Sequence, residues 1–351
     1  MNCKYYLCGA IFLWMVKILN FKNFGLKACH FTRFFCVFCL IFLIAFVSCN
    51  EDKQVPEEIA KIHVNLQLER FDREFASADT TGLPQLIKKY PYLFPERYDT
   101  SFWEKKLNDT LQNELNNEVE QKFPDFNEEM DELDLLYKHI KYYFPKTTLP
   151  TVVTITSDVD YHNKVILADS LLIVALDTYL GSDHRFYKGI QQFYSQNFNK
   201  EQIPVDVASA FAKKIIKRPA KRRFLDEIIY QGKRLYIMQE LLSLKAKNEI
   251  ISYTPDQLEW AEENEVNIWT YFVERQLLFE TDGKLLERFV NPAPFSKFYL
   301  EFDNDSPPRL GRYIGWQIVS SYMKNNNVPL QMLSGKTTDE IFENAKYKPS
   351  K

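Results

Sequence analysis

Residues 34–47, FFCVFCLIFLIAFV, are apolar throughout and end at Ser48–Cys49, and beyond Cys49 the chain has no further cysteine. The other five cysteines, Cys3, Cys8, Cys29, Cys36 and Cys39, all precede it. A disulfide framework distributes its cysteines through the folded part of a chain. Whatever folds after Cys49 must therefore be held by packing alone. The length allows this: 351 residues with 46% hydrophobic and 15% aromatic content can bury a sizeable core. Only ten glycines, with abundant Leu, Ile, Phe, Lys and Glu, point to a helix-rich globule. Cysteine-based zinc modules are excluded, and His63, His139, His162 and His184 are too scattered to form a local histidine site.

The apolar run is short for a membrane span, which needs about twenty residues, but suits the core of a signal peptide behind Lys22, Lys27 and Arg33. Ser48 before Cys49 resembles the cleavage box of bacterial lipoproteins, with Phe46 where leucine is usual. Cleavage there makes Cys49 the first residue and adds diacylglycerol to its thiol and an acyl chain to its amine. The expected division is a signal peptide at 1–48, a lipid anchor and polar linker at 49–60, and a single domain at 61–351. The leader is long and carries a second apolar patch, YYLCGAIFLWMV, which a true start at Met15 or another downstream site would explain. Without residues 1–48 the chain has 39 basic and 47 acidic residues, a formal charge of −8. An acidic chain with no concentrated basic stripe is not a nucleic-acid binder.

Along the rest of the chain, IHVNLQLERFD alternates Val64, Leu66 and Leu68 with polar neighbours, as a half-buried strand does. Helical patterns follow over 100–123, through Phe102, Trp103, Leu107, Leu111, Leu115 and Val119, and over 127–143. TVVTITS and KVILADSLLIVALDTYLG read as strands separated by turn residues at 158–163 and around Asp169. Beyond Phe186 the pattern predicts helices over 186–198, 204–218, 223–247, 255–281, 309–325 and 337–346. There is no internal repeat. The fold class is α+β: one predominantly helical domain with a small β-sheet.

Val205, Ala208, Phe211 and Ile215 share one helical stripe, and Phe224, Ile228, Gly232, Leu235 and Leu242 share another. A mid-helix glycine costs about 1 kcal/mol against alanine, so Gly232 implies close approach of a neighbouring element. Gly311 and Gly315 lie one turn apart in PPRLGRYIGWQIV, a spacing that lets helices pack closely, with Trp316, Val319 and Tyr322 filling the space beside them. The acidic cluster Glu262, Glu263 and Glu265 reads as a solvated face, the basic run 213–223 as a solvated interhelical corner, and the loop 291–298 as a groove rim.

The pieces ERFD (69–72), DVASAFA (206–212), IYQGKRLY (229–236), YTPDQLEWAEENEVNIW (253–269), NPAPFSK (291–297), DSPPRLGRYIGWQIVSSYM (305–323) and KYKP (346–349) resemble the gliding-motility lipoprotein GldB family. The resemblance spans nearly all of the chain after Cys49. It implies a lipid-anchored envelope protein with protein partners in the motility and type IX secretion machinery. Glu51 and Asp52 are similar to an export signal of Bacteroidetes lipoproteins; inner and outer membrane both remain open. The family is in turn similar to distant HExxH zinc peptidases, in which two histidines on one helix and a later acidic residue hold zinc while a glutamate activates water. Here the corresponding helix reads DVASAFAKK, and Gln231–Gly232 stands where Glu-Gly would fall. The resemblance thus implies a degenerate peptidase scaffold with no catalytic residues, metal or cofactor. Its former cleft, between the helices at 204–218, 223–247 and 255–281, is expected to be lined by Ala208, Phe211, Ala212, Gln231, Gly232, Trp269 and Trp316.

No nucleophile elbow, phosphate loop or dinucleotide fingerprint is present. A hydrolase using His162 or Glu265 is the competing reading, and a structural spacer is the third. Cys49→Ala is expected to abolish lipid labelling and release the protein from the membrane fraction, because stable anchoring needs more than one acyl chain. Continued labelling of that variant would refute acylation at Cys49.

Overall fold

In a computed structural model, which describes residues 54–301 and 303–350, a four-stranded sheet lies between two helical layers of unequal size. Its strands are β1 (Gln67–Glu69), β2 (Thr151–Ile155), β3 (Val165–Leu167) and β4 (Leu171–Ala175), in the order β1-β2-β4-β3. β1, β2 and β4 run parallel, with Leu68 opposite Val152 and Val152 opposite Leu172, while β3 pairs antiparallel with β4 at the edge. Because side chains alternate along a strand, β2 feeds two cores at once. Val152 joins Leu172 and Val174 in the large core, whereas Val153 faces a smaller one made by Phe71, Phe75, Leu83, Leu86, Tyr90 and Phe94. The class expected from the sequence, α+β and mostly helical, is the observed one.

The ERFD motif anchors the first strand. Arg70 grips Asp72 through Nε at 2.9 Å and Nη2 at 2.7 Å, and the same guanidinium donates to Phe123 O at 3.2 Å. Asp72 is buried and also accepts from Thr154 Oγ1 on β2. The strand expected from 62 is correspondingly short, since a helix begins at Phe71.

At the centre of the large core the helix Phe224–Leu241 (the central helix) crosses the helix Leu310–Asn326 (the glycine helix) at backbone contact. A Cβ on Gly232 would lie 2.1 Å from Gly315 O, and one on Gly315 would lie 1.8 Å from Ile228 O. Gly311 is equally committed, at 2.8 Å from Phe289 O. The mid-helix glycines are therefore packing residues.

Several expected helices are shorter or broken, each for a local reason. The 100–123 pattern splits into Thr100–Leu107 and Thr110–Lys122 because Asp109 caps the second helix, accepting from Gln112 N at 2.8 Å. Leu111 and Phe102 are consequently exposed. The 186–198 stretch has only a 3-10 turn at Arg185–Tyr187 and one helical turn at Gln192–Ser195, separated by Gly189 at φ 92°. The 255–281 pattern breaks at Asn264 into Pro255–Glu263 and Glu265–Glu274. In the stretch read as linker, Glu57–Ala60 is a helical turn that buries Ile59. Among the described residues no helix is long and apolar enough to cross a membrane. Cys49 and the segment 1–48 lie outside the described residues.

Gly315→Ala, a single added methyl, must push the two helices apart and is expected to destabilise by about 3 kcal/mol, at the upper end of overpacking effects. Gly335→Ala is the control: its Cβ would meet nothing closer than 3.8 Å, and its effect should stay within about 0.5 kcal/mol. Urea denaturation of both variants checks the pair, and equal midpoints would refute the crossing.

Candidate functional site

β3 is one of the two edge strands of the sheet and forms one wall of a groove of about 580 Å³. Its ladder to β4 includes Ala175 N donating to Lys164 O and Ala168 N donating to Leu171 O, each at 2.9 Å. Antiparallel pairs alternate, so Val165 and Leu167 turn their N–H and C=O groups away from β4. The helix Ile203–Ile215 forms the opposite wall through Asp206, Ser209, Ala210, Lys213 and Lys214, and Arg234 joins from the central helix. Asp206 is already neutralised. Lys164 Nζ stands 2.5 Å from its carboxylate, and the buried Tyr179 donates to it at 2.9 Å.

The groove shares Asp206, Ser209 and Arg234 with a smaller cavity of about 60 Å³, which Gln231, Arg309 and Arg312 also line. Arg234 bridges two helices, donating from Nη1 to Gln231 Oε1 at 3.0 Å and from Nη2 to Ser209 Oγ at 2.8 Å. Its Nε is buried with no hydrogen-bond partner. Arg309 donates to Ser252 O at 2.9 Å and Arg312 to Val290 O at 2.6 Å. None of the three guanidinium groups forms an ion pair with a carboxylate among the described residues. Glu227 attracts both Arg234 and Arg312, but it is held by Arg218 at 3.1 Å and by Gln231 at 2.7 Å.

Burial lowers the pKa of Arg234 and Arg309, and burial together with the charges of Arg309 and Arg234 pushes that of Arg312 down to about 9. Local structure adds to the positive field. Arg309 stands at the N-cap position of the glycine helix, with no capping hydrogen bond from its side chain, and Arg312 sits in its first turn, where the helix dipole disfavours cations. Arg309 and the Ser252 that it contacts are both left-handed, at φ 62° and 58°, a conformation costly for residues with a Cβ.

A family model described as gliding motility protein GldB matches residues 52–349. The chain belongs to that family. No curated protein and no solved structure matches it.

Within this GldB-family fold, the cleft residues expected from sequence separate into two groups. Ala208, Phe211, Ala212 and Trp316 are at most 3% exposed and belong to the large core, and Gly232 is buried at the helix crossing. Trp269 packs against Phe342 and Tyr347 in the C-terminal segment. Gln231 alone lines the cavity. The stripe read as cleft is the core-facing stripe. The groove takes the other flank of the same helix, where Asp206, Ser209, Ala210 and Lys213 recur at i, i+3, i+4 and i+7.

Glu265 is a correction. It is 4% exposed rather than solvated, because the break at Asn264 turns it inward to accept from Tyr313 at 2.9 Å, Tyr347 at 2.7 Å and Ser350 N at 3.2 Å. Glu262 and Glu263 are exposed as expected. His162 lines the groove, His63 is exposed, and His184 contacts Glu118 at 3.3 Å. His139 is buried between Leu135 O and Ser243 Oγ, and burial lowers its pKa.

The zinc that a peptidase scaffold would bring does not fit here. The guanidinium of Arg234 lies between Ser209 and Gln231, and Asp206 is engaged by Lys164 and Tyr179. Among the described residues no group of three or more His, Asp or Glu is placed to hold a metal. The side chains that line the pocket carry three guanidinium groups and one carboxylate, Asp206.

Half-buried charges with no carboxylate partner oppose folding, and replacing such charges with apolar groups of similar size is often stabilising. Arg312→Met is therefore expected to raise the melting temperature by about 2–4 °C, the equivalent of roughly 1 kcal/mol in a chain of this size. A melting point several degrees below wild type would show that Arg312 is a structural residue.

Proposed function

We propose that this member of the GldB family is a lipid-anchored, non-catalytic component of the cell envelope that serves gliding motility by binding a partner segment in the groove beside β3. The family ties the chain to gliding motility and to lipoproteins. The observation that supports binding over catalysis is the Arg234 bridge: a cation links Gln231 to Ser209, on the two helices that the resemblance to zinc peptidases would have carry the metal ligands. The open backbone of Val165 and Leu167 is suited to taking up an extended strand, as sheet edges do in peptide-recognition domains. Anchoring through Cys49, and service to the type IX secretion apparatus alongside motility, complete the reading.

Two measurements test it. The wild-type protein should carry no stoichiometric zinc after dialysis and show no chelator-sensitive peptidase activity, and Gln231→Glu should restore neither. One zinc per chain with chelator-sensitive hydrolysis would establish the enzyme instead. Ala210→Trp, which fills the groove from the helix wall, should abolish gliding while protein level and membrane association stay unchanged. Normal gliding in that strain would remove the groove from the function.

A further inference from the structure

We propose that the arginine pocket receives a carboxylate carried by the extended segment that occupies the groove. This rests on the binding function proposed above and names the chemistry of what is bound. Arg234, Arg309 and Arg312 converge on one cavity, and the single carboxylate lining it, Asp206, is already satisfied by Lys164 and Tyr179. Three guanidinium groups without a carboxylate are a costly arrangement for folding alone, and an incoming anion removes that cost.

The cavity itself sets the size. At about 60 Å³ it admits a small group of a few heavy atoms, so the rest of the ligand must lie outside it. The way out is the groove, because the two spaces share Asp206, Ser209 and Arg234. One wall of that groove is a sheet edge with outward backbone groups at Val165 and Leu167, which complements another peptide backbone. The anionic group of an unmodified peptide is a carboxylate, and the planar fork of arginine matches a carboxylate in two-pronged fashion. The groove carries the same sign: Lys213 and Arg234 line it with no ion pair among the described residues, while Lys214 is paired with Asp169 at 2.7 Å, and an approaching acidic segment is steered by that field. The left-handed Arg309 and Ser252, which meet through a hydrogen bond at the pocket, place backbone strain where a ligand is to be held.

The carboxylate has two sources, the C-terminus of a chain or an Asp or Glu side chain, and the experiment separates them. The full-length lipoprotein, extracted in detergent and immobilised, is incubated with a random octapeptide pool bearing free C-termini, and separately with the same pool amidated. Enrichment from the free-acid pool alone assigns a C-terminal carboxylate. Enrichment from both pools, with Asp or Glu at a fixed position, assigns a side chain. In either case recovered peptides should bind the double variant Arg309→Gln/Arg312→Met at least about tenfold more weakly, the loss expected for one or two charge-assisted hydrogen bonds. That variant should melt no lower than about 2 °C below wild type, so a loss of binding is not a loss of fold. Enrichment of peptides without a carboxylate, or undiminished binding by the double variant, overturns the carboxylate inference and leaves the groove reading standing. Binding that survives Ala210→Trp overturns the groove reading, and absence of enrichment from either pool overturns both.

Discussion

The backbone contact between the central helix and the glycine helix is the constraint on which the rest of the structure depends. With Gly232 against Gly315 and Gly315 against Ile228, the two helices meet backbone to backbone and leave no room for a Cβ at either glycine. This crossing fixes where the neighbouring polar residues go. Gln231 and Arg234 flank Gly232 on one helix, while Arg309 and Arg312 open the other, and together they line one cavity. Interiors are close-packed and low in compressibility, so such a crossing positions side chains within narrow limits. A bulkier residue at either glycine would therefore disturb the core and the pocket together.

The pocket illustrates how function and stability diverge. A core built for stability alone would not gather three guanidinium groups with their nearest acids already engaged elsewhere. Lys164 and Tyr179 hold Asp206, and Arg218 holds Glu227, so neither acid is free to neutralise the arginines. Elsewhere two buried acids are paired closely with arginines, while Asp177 and Glu265 are held by neutral donors. Asp72 is gripped by Arg70, and Asp226 by Arg223 at 2.7 Å. The buried Lys233 also lacks a carboxylate, donating to Lys336 O at 3.0 Å, so what sets the three arginines apart is their convergence on one cavity.

The sheet contributes both a partition and an edge. Period-two alternation lets Val152 and Val153 serve separate cores, and Arg70–Asp72 fastens the smaller layer to β2 through Thr154. The antiparallel β3 closes the order with a strand that has one neighbour only. Exposed edges invite pairing with other chains. Here the edge is three residues long and stands beside a groove of positive character, which favours one kind of strand over indiscriminate association.

Much of this was legible in the sequence. Burial in a strand or helix follows from local periodicity, so the strands at 151–155 and 171–175, the helix at 127–143 and the packing role of Gly232, Gly311 and Gly315 could all be read from spacing. The family was legible in the same way, because its motifs are contiguous. The cysteine distribution determined that the fold relies on packing alone. Tertiary structure decided the rest. Whether Glu265 meets solvent or three donors depends on a break at Asn264 and on the distant Tyr313, Tyr347 and Ser350. Arg234, Arg309 and Arg312 each look like an ordinary polar position on a helix, and no local pattern joins them. Electrostatic interaction depends on distance and burial, and both are set only when separate helices pack.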